Sequence, residues 1–138
     1  MDALELKLCD IQGRLFELSL TENLTSPCFI TEFMKSEVAR GLDSSFNRMQ
    51  WAGEEYLLDE LMDTCILEKG GEMYSKDALY WIGYLYRYWH YITGETSKQI
   101  LKQASAKTMN INYLMFHTMA PEMAIEDLKE IYRQKHSK

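Results

Sequence analysis

Residues 76–93 constrain this chain more than any other stretch. Ala78, Ile82, Leu85, Trp89 and Ile92 recur at steps of four and three, the spacing of one face of an α-helix. Ser75 or Asp77 can start that helix and Gly94 can close it. Eight of the 17 aromatic residues lie between positions 74 and 91. They are too many for one face, and Tyr80, Tyr84, Tyr88 and Tyr91 trace a second stripe. A helix apolar nearly all round belongs at the centre of a bundle, with tyrosine hydroxyls at its edge.

The rest of the chain follows the same period. Leu4, Leu8, Ile11, Leu15 and Leu18 predict a helix over residues 2–20. Gly13 weakens it, and partial alternation around Gln12-Gly13 leaves a hairpin as the alternative. Ser26 is expected to cap a second helix with Pro27 at its first position, Ile30, Phe33, Met34 and Val38 inward, and Gly41 as a left-handed exit. Asn47 and Gln50 read as a capping box. The helix behind them runs to about residue 66 and buries Trp51, Tyr56 or Leu57, Leu58, Leu61, Met62 and Cys65, with Gly70-Gly71 ending the region. Thr96 and Gln99 open a short helix to about residue 105, and a further short helix spans 110–118. The last helix starts near Pro121, reaches about residue 135, and turns Ala124, Leu128, Ile131 and Ile125 inward. Glu126/Lys129 and Glu130/Arg133 are neighbouring charge pairs for a wet surface. The expectation is an all-α, compact single-domain bundle of about five to seven helices over residues 1–138, with the N-terminal segment the least determined.

Charge narrows the function classes. The formal net charge is −6, but residues 1–95 hold 8 Lys/Arg against 17 Asp/Glu, whereas residues 96–138 hold 7 against 4. An acidic majority disfavours binding that depends on neutralising phosphates, and suits a basic protein partner. Cys9, Cys28 and Cys65 are odd in number and form no CxxC pair, which points to reduced thiols rather than zinc ligands. With no signal peptide and no apolar run long enough to span a bilayer, a cytoplasmic protein without membrane contact is expected.

Three features carry functional possibilities. Tyr80, Tyr84, Arg87, Tyr88 and Tyr91 combine the residue types that anchor protein interfaces, beside the plainer reading of a central core helix. Glu55, Asp59 and Asp63 share a helical face with Glu54 alongside. Such a row is ordinarily a solvated surface, and in the sharper reading it steers a basic partner. Residues 96–117 have the outline of a helix-turn-helix in the basic third, although Ile111, Tyr113, Leu114, Met115 and Phe116 make its second helix too apolar for a major groove. Met109, Met115, Met119 and Met123 read as core filling.

Enzyme signatures are absent. No G-x-S-x-G, phosphate loop or dinucleotide fingerprint occurs, and His90, His117 and His136 are not at metal-ligand spacing. Arg87/His90 and Arg133/His136 are separated by only two residues, short of the Arg-x4–6-His spacing of helical RNases. A non-enzymatic protein with no cofactor and no metal is expected.

Residues 47–56, 80–89 and 93–98 (NRMQWAGEEY, YWIGYLYRYW and TGETSK) resemble small helical proteins of Gram-positive gut-type bacteria that occur in toxin–antitoxin-like gene clusters beside ADP-ribosyltransferase-like toxins. The likeness covers most of residues 25–135 and carries no catalytic residues. It implies an antitoxin-like or accessory role through binding a partner protein, a toxin or another effector. Two alternatives stand beside it: a helix-turn-helix DNA-binding regulator, and an acidic mobile-element inhibitor that mimics nucleic acid, such as an anti-CRISPR protein.

Overall fold

The computed structural model describes residues 1–44 and 48–137. They form an all-α bundle of eight α-helices: α1 (Ala3–Leu18), α2 (Ser26–Lys35), α3 (Glu37–Asp43), α4 (Glu54–Thr64), α5 (Lys76–Thr93), α6 (Ser97–Gln103), α7 (Ala106–Phe116) and α8 (Pro121–His136). Two 3-10 turns, Ser19–Glu22 and Arg48–Trp51, complete the order. Among the described residues there is no sheet, only an isolated bridge between Leu24 and Lys69.

Helix α5 is the axis. The Ser75 hydroxyl accepts the Ala78 amide at its start, and Gly94 ends it at φ 76°, a left-handed conformation that glycine adopts without Cβ strain. Ala78, Leu79, Ile82, Leu85, Tyr86 and Trp89 are buried. Ile92, expected to face inward, is 42% exposed.

Helix α1 lies closest to α5, and glycine makes this approach feasible. A Cβ on Gly83 would sit 2.6 Å from the Gln12 carbonyl oxygen and 2.8 Å from the Phe16 ring, and one on Gly13 would sit 2.7 Å from the Tyr80 ring. Gly13, a weak point for an isolated helix, is thus a packing requirement here. The N-terminal segment is a helix rather than a hairpin. Asp2 and Glu5 cap it reciprocally, satisfying amides that would otherwise be orphaned. Phe16 then meets Phe29 and Phe33 of α2 edge-on at 5.1 and 5.3 Å, and Tyr86 at 6.4 Å.

Several expectations change. Ser26 is not the cap of α2: it is the first helical residue, and its buried hydroxyl accepts the Tyr74 amide. The helix expected to reach Gly41 breaks at Ser36, whose extended backbone and hydroxyl cap α3 through the Ala39 amide. Gly41 lies buried inside α3 and makes no left-handed exit. Asn47 falls outside the described residues, and Gln50 belongs to a 3-10 turn. Helix α4 therefore starts later, capped by Gly53, and ends at Cys65, before Gly70-Gly71. Leu57, Leu58 and Leu61 are buried as expected and Met62 and Cys65 partly so, while Trp51 is 79% exposed and Tyr56 is exposed. Of the four late methionines only Met109 is buried; Met115 and Met123 are exposed and Met119 is half-buried. Helix α7 begins at Ala106, capped by Ser105, earlier than expected. The Thr96/Gln99 capping box and the Pro121 start of α8 form as read.

A polar clamp joins three helices around Glu95. Its carboxylate accepts Trp89 Nε1 at 2.8 Å, Lys129 Nζ at 2.8 Å and Gln103 Nε2 at 2.6 Å. Lys129 is thus drawn from the expected Glu126 pairing, and Arg133 takes both Glu126 and Glu130. Burial acts to raise the Glu95 pKa, but the hydrogen bonds from Lys129, Trp89 and Gln103 outweigh it and hold it at about 2, against 4.5 ordinarily.

Two outcomes follow from this packing. Gly83→Ala is expected to cost about 1–3 kcal/mol through overpacking against the α1 backbone, read as a lower urea midpoint at unchanged slope. Because the folded Glu95 pKa lies below its unfolded value, its contribution is complete above about 4.5 and is lost as pH falls through about 2. Thermal melts across that window will show a smaller acid-induced drop for Glu95→Gln than for the wild type; equal drops would refute the clamp.

Candidate functional site

The nine residues singled out by the sequence separate into three groups. The first is Arg87, which is 1% exposed and belongs to the core. Its Nε donates to Gln12 Oε1 at 2.8 Å, one terminal nitrogen to Asp43 Oδ1 at 2.7 Å, and the other to Ser97 Oγ at 3.2 Å. The Ser97 hydroxyl in turn donates a hydrogen bond to Asp43 Oδ1, and the Ser97 amide donates to Asp43 Oδ2. Gln12 Nε2 completes the set by donating to the Gly83 carbonyl at 2.9 Å. Each of the three guanidinium nitrogens has an acceptor and Asp43 pairs with the charge, so the buried cation is compensated and unavailable to a partner.

The second group is peripheral. Asp59 and Asp63 are exposed along α4 without an ion pair or side-chain hydrogen bond among the described residues. Tyr91 is half-buried against His90, and its hydroxyl has no hydrogen-bond partner among the described residues. Burial pushes its pKa up to about 12. The Tyr88 hydroxyl donates to Glu122, which raises the tyrosine pKa to about 12 and lowers that of the carboxyl.

The third group converges. Tyr80 and Tyr84 of α5 meet Glu54 and Glu55 of α4 in one open cleft of about 950 Å³. Asp10, Arg14, Glu17 and Leu18 of α1 line it too, with Lys76, Asp77, Trp81 and Leu85 of α5 and Tyr113 and His117 of α7. The aromatic lining is ordered by ring contacts. Tyr80 lies 5.9 Å from Tyr84, and Tyr84 6.1 Å from Tyr88, in a ladder along α5. Trp81 meets Tyr113 edge-on at 5.8 Å, and Tyr113 stacks on His117 at 4.5 Å. The Tyr80 hydroxyl donates to Asp10, which also pairs with Arg14 at 2.9 Å. Burial and that carboxylate raise the Tyr80 pKa, so its proton stays in place. Glu54 and Glu55 sit in the first turn of α4, where the helix dipole favours anions.

Asp10, Glu17, Asp77, Trp81, Tyr113 and His117 were not named as partner-binding residues from the sequence. Asp10, Arg14 and Glu17 do recur at steps of four and three, which marks a polar face of α1. Nothing local says that this face meets α4 and α7. The helix-turn-helix outline does correspond to two short helices, α6 and α7, joined through Ala104 and Ser105. Lys98, Lys102 and Lys107 are exposed there, but so are Ile111, Leu114 and Met115, and these apolar side chains offer no hydrogen bonds to base edges.

Among the described residues, no group of three or more His, Cys, Asp or Glu is placed to hold a metal ion. No helix there is long and apolar enough to cross a membrane. No known protein family, no curated protein and no solved structure matches this chain.

The Arg87 network makes a prediction of its own. Arg87→Met leaves the mostly buried Asp43 carboxylate without its guanidinium partner and is expected to cost about 3–5 kcal/mol of stability in urea unfolding. Arg87→Lys should recover little, since an ammonium cannot reproduce a planar three-way fork. A stable Arg87→Met protein would show that the network is dispensable.

Proposed function

We propose that this protein is a non-enzymatic binding module that engages, and neutralises or regulates, a partner protein through the cleft between α1, α4, α5 and α7. One observation carries the reading: Tyr80, Tyr84, Glu54 and Glu55, drawn from two helices, line a single concave surface. Interface hot spots favour aromatic residues in such concavities, surrounded by a polar rim. The stripe of Asp59 and Asp63 runs on from Glu55 along α4 and extends the negative field beyond the cleft. An antitoxin-like role agrees with this arrangement, because such a protein acts by occupying its partner rather than by chemistry.

Affinity capture from the native host with tagged wild-type chain tests the proposal. The expected result is one near-stoichiometric protein, lost with Tyr84→Ala and with the Glu54→Gln/Glu55→Gln pair. Recovery of the bait alone, or a partner held equally by both cleft variants, would sink it.

A further inference from the structure

The cleft's unbalanced charge and its aromatic lining together narrow what it takes. Of its five carboxylates, only Asp10 is engaged, by Tyr80 and Arg14. Glu17, Glu54, Glu55 and Asp77 have no ion pair or side-chain hydrogen bond among the described residues. Two cations line the same space, Arg14 and Lys76, and Arg14 is already committed to Asp10. Four carboxylates thus face one uncommitted ammonium across a concave surface, where focused negative potential attracts a positive ligand.

The lining adds a second constraint. Tyr80, Trp81, Tyr84 and Tyr113 are each half-buried in the cleft, and a ring face that is partly desolvated attracts a cation. The Tyr84 hydroxyl makes no hydrogen bond among the described residues, leaving a donor and acceptor in the middle of the tyrosine ladder. Nucleic acid suits the rings but not the carboxylates, which repel phosphates. A neutral ligand leaves the repulsion among the carboxylates in place. A guanidinium meets both demands, because it stacks flat on aromatic rings and binds carboxylates in bidentate fashion. At about 950 Å³ the cleft is near the top of the roughly 300–1,000 Å³ range of ligand sites, more room than one side chain needs.

We infer that the cleft receives an arginine-bearing basic segment of the partner protein, with a guanidinium against Tyr80, Trp81 and Tyr84 and the carboxylates of Glu17, Glu54, Glu55 and Asp77 around it. This rests on the protein-binding reading above and adds the chemistry of the occupant.

The test uses the full chain with a fluorescein-labelled arginine octapeptide, its lysine counterpart and spermine, at fixed moderate salt. The arginine peptide should bind saturably and at least five-fold more tightly than the lysine peptide or spermine. Tyr84→Ala and the Glu54→Gln/Glu55→Gln pair should each weaken it about ten-fold or more. The Glu72→Gln/Asp127→Asn pair removes the same charge from exposed carboxylates outside the cleft, and should change binding less than two-fold. Equal loss from both carboxylate pairs would overturn the inference, because it marks a general attraction to negative surface. So would equal binding of the lysine peptide or spermine. Should Tyr84→Ala fail to fold, as judged by its circular dichroism, the two surface pairs decide alone. Competition separates the two proposals: a partner that needs the cleft but is not displaced by the arginine peptide leaves the protein-binding reading standing and overturns this one.

Discussion

The buried guanidinium of Arg87 is the interaction on which the rest of this structure depends. Taking a charge out of water is costly unless it is paired and hydrogen-bonded, and the side chains that do this come from α1, α3 and α6. Gln12, Asp43 and Ser97 are far apart in the chain, so the network forms only when four helices are in register. Gln12 has a double part, accepting from Arg87 and donating to the Gly83 carbonyl. That places the polar fork of α1 at the same level as the glycine contact that lets the two helices touch. An apolar core alone tolerates sliding and repacking; a satisfied polar cluster inside it selects one arrangement.

The cleft is a by-product of that arrangement. Once α1 is seated on α5, its polar face of Asp10, Arg14 and Glu17 turns toward the first turn of α4, and the tyrosine ladder becomes the floor between them. The ladder is tethered at its ends, Tyr80 to Asp10 and Tyr88 to Glu122, while Tyr84 between them is held by ring contacts. The side chain best placed to meet a ligand is therefore positioned by its neighbours without spending its own hydroxyl. This is economical preorganisation, since aromatic side chains lose little rotamer freedom on binding.

Local signals made much of the fold legible. Helix α5 was bounded by Ser75 or Asp77 at its start and Gly94 at its end, α6 by the Thr96/Gln99 box, and α8 by Pro121, each a matter of neighbours within one turn. What escaped depended on distant residues. The break at Ser36 was hidden because Ile30, Phe33, Met34 and Val38 keep helical spacing straight across it. Ser26 has the chemistry of a cap, but the amide it accepts belongs to Tyr74, 48 residues away. Trp51 and Ile92 were assigned inward by period alone, which says that a face is apolar and not whether anything covers it. Arg87 illustrates the same limit: an arginine among tyrosines suits an interface and a core equally well until Gln12, Asp43 and Ser97 are known to converge. The tyrosine and glutamate parts of the site were readable as residue types, whereas their meeting with Asp10, Glu17 and Tyr113 was not.

The contact between Gln12 and Gly83 also has a consequence for how the chain reaches this state. Joining positions 71 residues apart carries a loop-closure entropy of roughly 4 kcal/mol before any contact rewards it. Non-local topology of this kind slows folding relative to bundles whose helices pair in sequence order. On the ribosome, 57 residues separate the end of α1 from the start of α5. At about 5–20 residues per second, α1 waits roughly 3–11 s for α5 to begin. The glycine-lined seam that gives the finished protein its closest helix contact is also the contact that must form late.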